Sequence, residues 1–227
     1  MTFVRTYRFN VATAALRARL LPTVFFGVLI AGTAGIAAAM TPDPVATSSV
    51  AKSLAVFREP DLMETAFREG LSLYEGGDYT EAARTWLAAA KHGHAGAQFS
   101  LGVAYATGNG VAQDLDAAIR WWNDAAHRGH ATAQVNLGLL YWRGVGVERD
   151  LAKALSWWRR AADGGDAAAQ FHLGAMAATG EGSPIDFDDA IHWWRLSAAQ
   201  GYELAIEGLQ IMERHGLTVD RRHRSAE

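Results

Sequence analysis

The chain has 227 residues, half of them apolar, with 20% charged residues and a formal net charge of −3. That length supports a domain with a sizeable core, and the absence of cysteine rules out both a disulfide framework and a thiolate zinc site. No excess of basic residues points to a nucleic-acid partner.

The first forty residues differ from the rest. No acidic residue precedes Asp43, while Arg5, Arg8, Arg17 and Arg19 come before the apolar run "LLPTVFFGVLIAGTAGIAAAM". A basic start, an apolar core and the small residues Ala37–Ala39 match a secretory signal. The run also reaches transmembrane length, about 20 residues. Residues 1–40 therefore read either as a cleaved signal peptide or as a retained N-terminal membrane anchor. In both readings the arginines stay cytoplasmic and the remainder is exported. An Arg-rich, acid-poor start is shared by mitochondrial transit peptides, so an organellar assembly factor stands as a further alternative. Removing residues 1–39 takes four of the 21 basic residues and none of the 24 acidic ones, which leaves the remainder at −7. Residues 41–59, rich in Pro, Ser, Thr and Ala, read as a linker.

Self-similarity dominates the rest of the chain. Residues 95–130, 131–166 and 167–202 align without a gap as three units of 36 residues. They share Gln98/Gln134/Gln170, Gly102/Gly138/Gly174, Asp114/Asp150/Asp186, a Trp-Trp pair at Trp121–Trp122, Trp157–Trp158 and Trp193–Trp194, and a closing Gly129/Gly165/Gly201. Each unit predicts a helical hairpin. Helix A runs from Ala95 to about Thr107, with Leu101 and Tyr105 on one face. Gly108 and Gly110 can take positive φ and stop it. Asp114 is placed to cap helix B, which ends at Gly129. A single hairpin cannot bury its apolar stripe; stacking on its neighbours does so.

Residues 60–94 carry a variant hairpin with a shorter turn. Gly70, Leu73, "GDY" at Gly77–Tyr79, Glu81–Ala82, Trp86 and Ala89 resemble the tetratricopeptide (TPR) pattern. Residues 203–215, "ELAIEGLQIMERH", resemble another helix A made more polar by Glu207, Gln210 and Glu213, as an end cap requires. Residues 216–227, with "RRHR" at Arg221–Arg224, form a polar tail.

The 36-residue units resemble the Sel-like repeat (SLR) branch of the TPR superfamily. The shared pattern is A-x-A-Q-x-x-L-G-x-x-Y-x-x-G-x-G-V, then D-x-x-x-A-x-x-W-W-x-x-A-A-x-x-G. The third unit departs from it at Ala177, in place of Tyr, and at Ser183–Pro184 in the turn. The resemblance implies an all-α fold: a right-handed α-solenoid of stacked helical hairpins, one TPR-like plus three SLR units and a C-terminal capping helix, spanning residues 60–215. It also implies a scaffold for protein–protein interaction, often exported in bacteria. Some cysteine-rich relatives are reported to handle β-lactams or peptidoglycan-like ligands, and this chain lacks their disulfide signature.

The sequence carries no recognisable catalytic motif. "GNG" and "GVG" lack the strand context and Lys-Ser/Thr of a phosphate loop, and neither a HExxH helix nor a serine elbow is present. No cofactor is implied. His92, His94, His127 and His130 lie at the ends of helix B in successive hairpins, where they read as helix-end histidines favoured by the negative helix terminus rather than as metal ligands. The carboxylates Asp114, Asp116, Asp150, Asp186, Asp188 and Asp189 sit at helix B starts, as capping and the helix dipole require.

Helix A supplies the candidate site. By the geometry the resemblance implies, the face away from Leu101 and Tyr105 lines a concave groove. That face carries Phe99 and Val103, then Val135, Leu139, Trp142 and Arg143, then Phe171, with Asn136 and His172 on its flank. Either these residues meet a protein or peptide partner, or neighbouring A helices bury them against one another. Trp and Arg are favoured interface anchors.

On helix B, Trp86, Trp122, Trp158 and Trp194 fall mid-stripe and read as core plugs. Trp121, Trp157 and Trp193 read as covering the seams between hairpins, with ligand stacking as the other reading. The expected function is that of a non-enzymatic binder of a protein or peptide segment in the bacterial periplasm, touching membrane only through its N-terminal segment. A cell-wall-ligand binder or hydrolase on the same solenoid is the alternative.

Overall fold

A computed structural model describes residues 59–217. The signal or anchor at 1–40, the linker up to residue 58 and the tail from 218 lie outside the described residues. The described residues form nine helices and no strand, an all-α helical solenoid. They are α1 (Glu59–Glu75), α2 (Tyr79–Lys91), α3 (Ala95–Thr107), α4 (Leu115–His127), α5 (Ala131–Arg143), α6 (Leu151–Asp163), α7 (Ala167–Thr179), α8 (Phe187–Ala199) and α9 (Glu203–Arg214). Among the described residues, no helix is long and apolar enough to cross a membrane.

The same caps recur because the same residues do. Asp114, Asp150 and Asp186 accept from the backbone N–H groups of Ala117, Lys153 and Asp189 at 2.9–3.0 Å, which starts α4, α6 and α8. At the other end of helix A, Gly108 and Gly180 adopt φ of 79° and 74° and their N–H groups return to Ala104 and Met176, a left-handed stop that favours glycine. The turn between the two helices is pinned by Asp114 N–H to Tyr105 O, Asp150 N–H to Tyr141 O and Asp186 N–H to Ala177 O, each 2.9 Å. The third bond survives Ala177 and Ser183–Pro184 because it uses only backbone atoms.

His94 and His130 have a different role from the one their sequence position suggests. Each accepts through Nδ1 from a backbone N–H of the next helix, His94 from Ala97 at 3.1 Å and His130 from Ala133 at 3.3 Å. Asp166 does the same for Ala169 at 2.8 Å. The expected stabilisation at the negative end of helix B is thus replaced by an N-cap that needs an unprotonated ring nitrogen. Burial pushes the His130 pKa below its ordinary value.

The chain divides into two compact units, whose described parts are residues 59–133 and 134–217. In the first, α1–α2 stacks on α3–α4 around Ala82, Trp86, Ala97, Leu101 and Ala104, with Trp121 laid against them. In the second, Val135, Trp158, Leu173, Met176 and Trp193 form one cluster, and Phe171, Ile191, Trp194, Ile211 and Met212 form another. Trp86, Trp122, Trp158 and Trp194 are all fully buried, as core plugs should be. Each faces a helix A glycine, and a Cβ at Gly102 or Gly174 would stand 2.5 Å from Cδ1 of Trp122 or Trp194. The indole N–H groups of Trp86, Trp158 and Trp194 donate to the carbonyls of Phe67, Val135 and Phe171 at 3.0–3.2 Å. The glycine lets each ring in, and for these three the carbonyl three residues before it satisfies the polar edge, whereas Trp122 Nε1 has no partner. Within the second unit α9 closes the stack, with Gly208 over Trp194 and Ala205, Ile211 and Met212 buried.

A candidate partner-binding face on helix A

The helix A residues separate into two groups. Phe99, Val135, Asn136, Phe171 and His172 are buried, whereas Val103, Leu139, Trp142 and Arg143 are half-buried. The first group is therefore withdrawn from solvent by packing. Phe99 stacks on His130 at 4.5 Å in the first unit. Phe171 lies 5.3 Å from Tyr202 and 6.4 Å from Trp194 in the second. For Phe99, Phe171 and His172 aromatic neighbours occupy the space a ligand would need, Val135 packs in the Trp158 cluster, and Asn136 is buried beside it in sequence.

Within the second unit the half-buried residues centre on Trp142. Its ring packs 6.4 Å from Trp158, and its Nε1–H donates to Glu181 Oε2 at 2.6 Å. The Arg143 guanidinium lies 5.0 Å over the ring, a cation–π arrangement. Arg149 donates to the Trp142 carbonyl at 2.9 Å and approaches Glu181 at 3.9 Å. Glu181 carries no signal of its own in the sequence pattern. It occupies the same unit position as Asn109, whose amide donates to the Tyr74 hydroxyl at 2.8 Å. Tyr74 and Trp142 each lie four residues beyond the glycine that receives a core tryptophan. In each unit of the fold, then, a turn residue reaches back to an aromatic on the preceding helix A. The polar residue at this turn position, in two of the three repeats, is the one sequence feature that marks the contact.

Beneath this group lie two unsatisfied side chains. His172 is 5% exposed, stacks on Trp158 at 4.7 Å and meets Phe171 edge-on at 5.5 Å. Its Nε2 has no partner, and neither amide atom of Asn136 has one. Burial, aided by the Arg143 charge, pushes the His172 pKa down to about 3. His172 is therefore neutral at physiological pH. The face offers aromatic surface, cation–π contact and hydrogen bonding. Among the described residues no group of three His, Cys, Asp or Glu side chains is placed to hold a metal.

Comparison with known proteins identifies the repeats. The Sel1 repeat matches residues 95–130, 131–166 and 167–202. A Sel1 repeat protein from Oxalobacter formigenes is similar at 31% identity and a TM-score of 0.61, covering 65% of this chain and 44% of its own. A protective antigen of uropathogenic Escherichia coli strains, displaying an SLR fold, is similar at 29% identity and a TM-score of 0.60, covering 69% of this chain and 39% of its own. The chain thus spans less than half the length of either. No curated protein matches. Sel1 repeat proteins typically mediate protein–protein interaction, and their fold is typically a non-catalytic scaffold.

Proposed function

Proceeding from a chain that carries three Sel1 repeats, we propose that it is an exported, non-enzymatic scaffold that binds a protein or peptide segment along helix A. Its setting in this reading is envelope signalling or complex assembly in the bacterial periplasm. The observation that carries it is the half-buried Trp142, held by Glu181 and covered by Arg143. An aromatic ring fixed at its polar edge, with a cation above, is the kind of anchor that dominates interface energies. Leu139 adds partly exposed apolar surface on the same helix in the second unit, and Val103 is its repeat equivalent in the first.

The test is site-specific photocrosslinking in the native cell. A benzophenone amino acid at Arg143 or Val103 is expected to give discrete adducts, and one at the exposed Asp116 is expected to give none. Equal labelling at all three positions, or none at Arg143 and Val103, would sink the groove reading. Nitrocefin hydrolysis abolished by a helix A substitution would overturn the non-enzymatic part. Export is tested by fusing residues 1–59 to leaderless alkaline phosphatase. Activity of the fusion is expected, and sequencing of the mature N-terminus then separates cleavage from retention.

A further inference from the structure

Away from the helix A face around Trp142, α2 and α4 of the first unit border a recess of about 460 Å³. That volume falls within the range of pockets that hold small ligands. Lys91, Trp121, Asp124, His127 and Arg128 line it, with Gln98 beneath them. Gln98 is only 4% exposed. Its amide Nε2 donates to the Ala90 carbonyl at 3.0 Å, while its Oε1 has no donor at all. A buried acceptor left in that state carries its full desolvation penalty until something donates to it.

The repeats themselves show what that atom needs. Gln170 is the equivalent of Gln98, and its Oε1 accepts from Gln200 Nε2 at 2.9 Å. Gln200 also donates to the Gly165 carbonyl, which fixes it there. The residue at the Gln200 position in the first unit is Arg128. Its guanidinium lies over Gly93 instead, so close that a Cβ there would stand 2.6 Å from Cζ. The third repeat closes its own acceptor, and the first leaves its acceptor open beside two cations and an indole. Leu196 stands in the third repeat where Asp124 stands in the first, so the polar rim belongs to the first recess.

We propose that this recess binds the carboxylate of an acidic peptide segment. The carboxylate sits between Lys91 and Arg128, one backbone N–H of the segment donates to Gln98 Oε1, and a neighbouring side chain covers the Trp121 ring. One unpaired buried acceptor next to two cations matches one N–H next to one carboxylate. A sugar would bring several hydroxyls to a recess with a single unpartnered buried atom. Asp124 opposes a second negative charge, so the rim accepts a singly charged group. This site is independent of the helix A face.

The experiment is an NMR titration of the isotope-labelled full chain with the peptide acetyl-Gly-Phe-Glu-amide, its Gln counterpart, and glucuronate. The Gln98 amide and Trp121 indole resonances are expected to shift together and saturate near about 1 mM peptide. The Gln peptide is expected to bind about fivefold more weakly. Arg128→Gln supplies the donor that Gln200 supplies in the third repeat and removes one cation. It should fold normally, and its peptide affinity should fall about fivefold or more. No shift at about 5 mM peptide, equal affinity for the two peptides, unchanged affinity in Arg128→Gln, or binding of glucuronate in place of the peptide would each overturn the proposal.

Discussion

The tryptophan–glycine pair is the smallest unit on which this fold depends. Trp158 is fully buried, donates to the Val135 carbonyl and fills the space that Gly138 leaves by having no side chain. Trp158→Ala should cost about 3–5 kcal/mol, since transfer and cavity terms add. Gly138→Ala should cost about 1–3 kcal/mol by overpacking. Urea unfolding monitored by circular dichroism measures both. His172 makes a pH prediction. Its pKa is held down to about 3, against 6.5 for an exposed histidine. Between these values the unfolded chain binds the proton and the folded chain does not. The stabilisation is complete above about pH 6.5 and is lost as pH falls towards 3, at on the order of 1 kcal/mol per pH unit. His172→Phe should flatten that part of the stability profile. An unchanged slope in the variant would assign the acid sensitivity to other groups.

At the level of the element, every hairpin is set by its ends. Asp150 accepts from the Lys153 N–H at 2.9 Å and begins α6, so Asp150→Ala should cost about 1 kcal/mol. The start of helix A uses His94, His130 and Asp166 interchangeably. His94 also reaches Glu64 through Nε2 at 3.0 Å, and that contact, with Arg68, holds the Glu64 carboxyl below its usual pKa. His130→Asp should preserve the α5 cap while freeing it from histidine titration, readable as retained stability at pH 5. The helix B starts were legible from sequence, because aspartate recurring at a fixed spacing before an apolar stripe has few other roles. The histidine caps were not, because histidine is a rare cap and sits equally near the end of one helix and the start of the next. Only Asp166 at the matching position pointed to the second.

At the level of the molecule, Trp142 carries both architecture and the proposed function, and the two must be separated. Its Nε1–Glu181 bond ties the third turn to the preceding helix A, as Asn109 ties the first turn to Tyr74. Complete truncation would therefore damage packing as well as any partner site. Trp142→Phe keeps an aromatic body and removes the bond, with an expected cost of about 1 kcal/mol. Photocrosslinking through Val103 should then continue while adducts at the neighbouring Arg143 position weaken. Loss of adducts at both positions together with a collapse of helicity would make Trp142 a packing residue alone.

The repeat period, the hairpins, their aspartate caps and the buried tryptophans were determined by the sequence itself. Each rests on local rules of spacing, capping and amphipathicity that repetition displays three times over. Only the tertiary structure decided which helix A residues remain partly exposed. Phe99, Val135 and Phe171 share a face with Trp142 in the sequence pattern and Asn136 and His172 flank it, yet these five are buried and Trp142 is half-open. The open acceptor of Gln98 was likewise invisible in the repeat, since Gln98 and Gln170 occupy identical positions. The difference lies in whether the side chain at the Arg128 or Gln200 position turns toward that acceptor. Exposure and hydrogen-bond pairing depend on how neighbouring helices meet, and no periodicity within one helix contains that information.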